Sequence, residues 1–262
     1  MNFFKRVKIR YILHRYAIQH ALWHEVITAL KFLDGLSAVQ KAHLKELSTL
    51  FLHQKNLIGI NFELTEKMRV IIAAQACLPI LHLGLNLLSG WLDVLIYPSA
   101  FWVSCDEIDS DGVVHHQERL LSGEAWAKGP IILSWQDIES NMQNSSQGHN
   151  VIIHEIAHKL DGLNGKTNGM PPLPLTMSIP QWTATLSQAY EQLQTRLQHH
   201  HRVCVNPYAA SSPAEFFAVF SEYFFCAPDI LQTHFSDVYA QLCLYYRQDP
   251  WYRQQNGVVI TK

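Results

Sequence analysis

His154-Glu155-Ile156-Ala157-His158 has the H-E-x-x-H form, a pattern this chain's composition would produce by chance roughly 0.04 times. On a helix turning about 100° per residue, His158 lies about 40° from His154 and one turn along the same face. Two imidazoles so placed reach one metal ion at roughly 2.0–2.1 Å. Glu155 falls at about 100°, beside that face, where it can meet a water on the ion rather than the ion itself. The chemistry that fits is hydrolysis assisted by zinc, with Glu155 as general base. Asp161 shares the histidine face one turn after His158; it either orients a ligand imidazole or serves as a last-turn aspartate.

The helix carrying these residues must be held by its back. Ile152, Ile156, Leu160 and Leu163 lie opposite the histidines, which predicts a helix over about 150–161 with an apolar stripe in the core and a cleft in front. Gly162 and Gly165 offer places to stop it. A catalytic zinc takes three protein ligands and leaves one position open. The extended form H-E-x-x-H-x-x-G-x-x-H is excluded, because Asp161 and Asn164 stand where it needs Gly and His. Glutamate is the next option. Glu215 and Glu222 both lie in a segment, 212–225, that is apolar nearly all round a helix, where a carboxylate is costly unless paired or bound to metal. They share a face but stand about 10 Å apart along the axis, too far for one ion to take both. Glu215 has a competing role as partner of Ser212 in a capping box, with Pro213 at the first helical position. Spacing alone leaves the two candidates open.

The rest of the chain supplies the frame. The 262 residues, 48% hydrophobic, are enough for a real core. With 20 basic and 22 acidic side chains there is no general attraction to nucleic acid, and no reading helix is recognisable, so a DNA-binding regulator is not expected. Lys5, Arg6, Lys8, Arg10 and Arg15 form a local exception ahead of the first acid, Glu25; they read as the solvated face of a first helix or as a basic arm for a partner or lipid surface. Cys77, Cys105, Cys204, Cys226 and Cys243 are odd in number and contain no C-x-x-C pair, which argues against a disulfide framework and fits a reducing cytosol. The apolar stretch Val70 to Tyr97 is interrupted by Gln75, Pro79, Asn86, Gly90 and Asp93 and reads as core rather than a membrane span. The His199-His200-His201 run reads as a solvated helix end.

Helical patterning runs from Arg10 to about Leu52, with a break at Asp34-Gly35 and Ser37 as a cap, and again from Thr65 to Leu78. Short β-prone runs follow at Val94–Tyr97, Phe101–Cys105, Val113–Leu120 and Ile131–Ser134, with a hairpin turn at Ser110-Asp111-Gly112. Further helices are expected at about 181–199, 212–226 and 235–247. Helices in front, a small β-sheet in the middle and helices behind give an α+β class. We expect a single unit over 1–262, with a helical N-terminal portion over 1–90 and the catalytic core over about 91–250.

Gly148 to Gly165, Asn206 to Phe225, Met68 to Ala76, Val94 to Phe101 and Ser122 to Trp135 together resemble the Mlc titration factor A family, over roughly residues 20–250. The resemblance implies a cytosolic zinc peptidase of the gluzincin type, similar in its active site to the anthrax lethal factor catalytic domain. It implies zinc ligands at His154, His158 and Glu215, one zinc per chain, Glu155 as general base, and a catalytic tyrosine at Tyr208. It also implies aminopeptidase activity on small substrates and binding of the glucose-responsive repressor Mlc. The rival reading is a binding protein that sequesters such a repressor around a vestigial site; an intact Glu155 and Tyr208 argue against a dead site.

Overall fold

The computed structural model describes residues 3–99, 101–108, 114–121, 123–125, 129–144 and 147–257, with residues 3, 101–108, 114–121, 123–125 and 256–257 described by backbone alone. The chain is an α+β protein. Helices α1 (Phe3–Arg15), α2 (His20–Ala29) and α3 (Ala38–Gln54) come first. The helical pattern therefore begins seven residues before Arg10, and it breaks at residues 16–19 as well as near Asp34-Gly35. Ser37 caps α3 in a full capping box with Gln40, and Thr65 does the same with Met68 for α4 (Glu66–Cys77).

Strands β1 (Asn56–Gly59), β2 (Asp93–Tyr97) and β6 (Ile131–Ser134) run parallel, and β5 (Gly123–Ala125) pairs antiparallel with β6, in the order β1-β2-β6-β5. The β1–β2 pair is parallel, so its connection must cross over, and α4 lies within it. Strands β3 (Phe101–Ile108) and β4 (Val114–Leu121) form a separate antiparallel ribbon with Phe101 opposite Leu121. The Ser110-Asp111-Gly112 turn between them lies outside the described residues. The expected runs Val94–Tyr97, Phe101–Cys105 and Ile131–Ser134 fall within strands, and Val113–Leu120 does so from residue 114 on, residue 113 lying outside the described residues. Among the described strands only β1 and β5 went unread, being four and three residues long, too short to show a pattern of their own before they pair with β2 and β6.

Helices α5 (Trp135–Gln143), α6 (Val151–Asp161), α7 (Ile179–Gln198), α8 (Pro213–Cys226), α9 (Pro228–His234), α10 (Ser236–Tyr246) and α11 (Pro250–Gly257) follow. The expected helices at 150–161, 181–199, 212–226 and 235–247 correspond to α6, α7, α8 and α10. Helix α8 is buried from Phe216 to Cys226. Phe216 stacks on Phe220 with ring centroids 3.9 Å apart, and Trp182 of α7 meets the Phe217 ring edge-on. The Ser221 hydroxyl pairs with the Tyr246 hydroxyl of α10 at 2.7 Å, so both buried hydroxyls are satisfied. The stretch from Val70 to Leu81 is buried, and among the described residues no helix is long and apolar enough to cross a membrane. Four of the five cysteines are free thiols; the side chain of Cys105 is outside the description.

One expectation about α6 needs correction. Ile152, Ile156 and Leu160 are buried as foreseen, but Leu163 lies past the helix end and is exposed. Nor does the opposite face open wholly on a cleft: Ile153, Glu155, Ala157, Lys159 and Asp161 are buried too. Helices α4, α5 and α8 and strands β5 and β6 all pack against α6, so beyond its first residue, Val151, only the two histidines keep partial access.

Candidate metal centre

Helix α6 begins at a designed corner. Asn150 is its N-cap, its side-chain Oδ1 accepting the Ile153 N–H at 3.0 Å, while its amide nitrogen donates to Gln75 of α4 at 2.7 Å. Gln75, one of the polar residues that spoke against a membrane span, is therefore a buried anchor. Two residues earlier, Gly148 adopts φ +80°, and a Cβ there would lie 2.6 Å from the Tyr223 ring, so this corner approaches α8 as only glycine permits.

The α6 and α8 helices bring three donor atoms together. His154 Nε2 and His158 Nε2 are 3.1 Å apart; His154 Nε2 is 3.1 Å from one Glu215 oxygen and His158 Nε2 is 3.4 Å from the other. Donors bound at roughly 2.0–2.1 Å to a tetrahedral ion stand about 3.3–3.4 Å apart, so the spacing fits a single metal ion. Among the described residues this is the one group of three or more such side chains that could hold a metal. Ser212 caps α8 by accepting the Glu215 N–H at 3.2 Å, which leaves the Glu215 carboxylate free to turn to the histidines.

Glu222 does something else. Its Oε1 lies 2.7 Å from His154 Nδ1, and its Oε2 accepts the Asn150 N–H at 2.6 Å. A carboxylate accepts, so Nδ1 donates to Glu222, and Nε2 is the nitrogen left for the cluster once its own proton gives way to a cation. Burial by itself disfavours charge on His154, but the hydrogen bonds to Glu215 and Glu222 outweigh it and raise the pKa well above the ordinary histidine value. Burial would likewise raise the Glu215 carboxyl; the two histidines reverse that and hold it well below the usual carboxylate range.

Glu155 is buried beside the cluster, near enough for its charge to act on His154 and on Lys159. The Lys159 ammonium donates to the Gly129 carbonyl at 2.8 Å, and burial draws its pKa down to about 8 against the pull of Glu155. Tyr208 sits on a short 3₁₀ turn, Pro207–Ala210, with its N–H on the Asn206 side chain. Its ring centre is 6.4 Å from that of His154, and it is 53% exposed, so it faces the open side rather than the core.

The matched family model, described as glucose-regulated metallo-peptidase M90, covers residues 4–247. The chain belongs to this family. Mlc titration factor A of Cronobacter sakazakii is 41% identical over 243 residues, covering 92% of this chain and 91% of that protein. Those of Escherichia coli O9:H4 and Klebsiella pneumoniae are 40% and 38% identical, over 88% and 90% of this chain and 87% and 89% of theirs. In this member of the M90 family, then, the expected residues His154, His158 and Glu215 converge, with Glu155 and Tyr208 beside them. Asp161 does not take the orienting role foreseen as one option: its Oδ2 accepts the Gly169 N–H at 2.8 Å and fixes the loop after α6. His199 and His201 lie at an exposed helix end with ring centres 6.0 Å apart. The contribution the sequence did not yield is that of Asn150 and Glu222. An asparagine just before an apolar-periodic helix is a cap signal, and it was legible; nothing local marks Glu222 as a partner of His154.

Proposed function

We propose that this chain is a zinc-dependent peptidase, with aminopeptidase-type action on small peptides, working in the cytoplasm. The observation that carries the reading is the set of three donors 3.1–3.4 Å apart, with His154 Nδ1 held by Glu222 at 2.7 Å. His154, His158 and Glu215 would hold one zinc ion, which when bound supplies a Lewis acid that lowers the pKa of water toward 7 and polarises a carbonyl. Glu155 takes the proton of the attacking water and returns it to the leaving amine; its burial places that exchange out of bulk solvent. Tyr208, exposed beside His154, donates a hydrogen bond to the oxyanion as it develops.

The test is Glu155→Gln. It is expected to retain zinc and fold while hydrolysis falls by about 10²–10⁴-fold, the usual cost of losing a general base. Undiminished turnover with zinc bound would sink the mechanism. A second reading has its own support: the relatives carry the name Mlc titration factor A. Under it the chain also binds a repressor of the Mlc type, and it needs no direct contact with nucleic acid. Co-purification of Glu155→Gln with such a repressor would separate binding from catalysis.

A further inference from the structure

Helix α1 lies apart from the metal centre and has no part in the reading above. It contains Lys5, Arg6, Lys8, Arg10 and Arg15 and no acidic residue. The rest of the chain then holds 15 basic and 22 acidic side chains and is net −7. With Phe4 set at 0°, helical geometry puts Val7 and Tyr11 at about −60° and −20°, and Ile12 at about 80°. Ile12 is buried, and α1 packs against α3. Phe4, Val7 and Tyr11 are 78%, 50% and 61% exposed, so α1 carries a second apolar stripe, pointing outward. Lys8 and Arg15 border that stripe at about 40° and 20° and Arg10 at about −120°, while Arg6 lies further round at about −160°; all four are exposed.

We infer that this outer face of α1 docks on an anionic lipid surface, with Val7 and Tyr11 entering the headgroup boundary and the cations around them meeting lipid phosphates and carboxylates. Outward Val7 and Tyr11 flanked by Lys and Arg offer the two contributions by which a helix holds to a membrane interface, apolar area entering the headgroup boundary and cations meeting anionic lipid. The centre of a protein–protein interface is instead depleted of lysine, and α1 has two. The negative remainder of the chain is repelled by the same surface, so the charge distribution also selects which side faces it.

The experiment is co-sedimentation of the full chain with vesicles of phosphatidylcholine, alone or with about one third phosphatidylserine. Binding at least about tenfold stronger to the anionic vesicles, and weakened when salt is raised to about 0.5 M, is expected. Two variants at exposed positions keep the outcome clear: Arg6→Ser/Lys8→Ser/Arg10→Ser, and Val7→Ser/Tyr11→Ser, each checked for an unchanged melting temperature. Loss of binding in both supports the inference. Equal binding to both vesicle types, no binding by the wild type, or full binding by Val7→Ser/Tyr11→Ser would overturn it; the last two outcomes would leave an acidic protein as the occupant.

Discussion

At the residue scale the centre divides its carboxylates by reach. Glu215 and Glu222 are seven residues apart on one face of α8, and the ring of His154 spans the gap between them, Nε2 toward Glu215 and Nδ1 toward Glu222. One therefore serves as a candidate ligand and the other as the orienter of a ligand. Glu215→Ala is expected to abolish stoichiometric metal binding. Glu222→Ala should still bind, about 10–100-fold more weakly, because the loss of an orienting partner typically costs that much. Titration against a chelator measures both, and the reverse pattern would exchange their roles. For Tyr208, exposure matters more than packing. Tyr208→Phe should lower kcat by about 10²–10³-fold while KM, metal content and melting temperature stay near wild type. Near-normal kcat would leave it without a part in catalysis.

At the element scale α6 is fixed at its start by Asn150, whose side chain caps the helix and reaches Gln75. Asn150→Ala removes the cap and leaves the buried Gln75 side chain without that donor; about 2–3 kcal/mol of stability should go. The bond to Glu222 comes from the Asn150 backbone, so it survives the substitution. Metal affinity of the folded protein should accordingly change far less than in Glu222→Ala. Urea unfolding followed by metal titration distinguishes the two effects, and a large affinity loss would show that the cap itself sets the histidine geometry.

At the scale of the molecule the two ends of the chain are tied together. Arg253 of α11 is buried and donates to the Phe32 carbonyl at 3.0 Å, and Gln248 donates to the Leu78 carbonyl at 2.8 Å. Gly35, at φ +79°, passes so close that a Cβ would collide with the Arg253 carbonyl. We propose that residues 1–262 unfold as one unit. Gly35→Ala, which meets both an unfavourable φ and that collision, should cost about 2–4 kcal/mol. Helix content and metal release should shift together in a single urea transition. Separate transitions would divide the helical N-terminal portion from the core.

The sequence by itself determined the elements whose signals are local. The spacing of His154, Glu155 and His158, the cap at Ser37, the helix from Thr65 to Leu78 and the all-round apolar α8 each follow from rules acting within one helix or turn. It narrowed the third ligand to two glutamates and went no further on spacing alone. Strands β1 and β5, the burial of α6 on nearly every side and the distinct positions of Glu215 and Glu222 were decided by the tertiary structure. A three- or four-residue strand exists through its hydrogen-bonded neighbour, and a helix is buried by whatever packs around it. Which carboxylate meets which nitrogen of an imidazole depends on how α6 and α8 cross. Those are contacts between residues as much as 72 apart in the chain, and no local pattern encodes them.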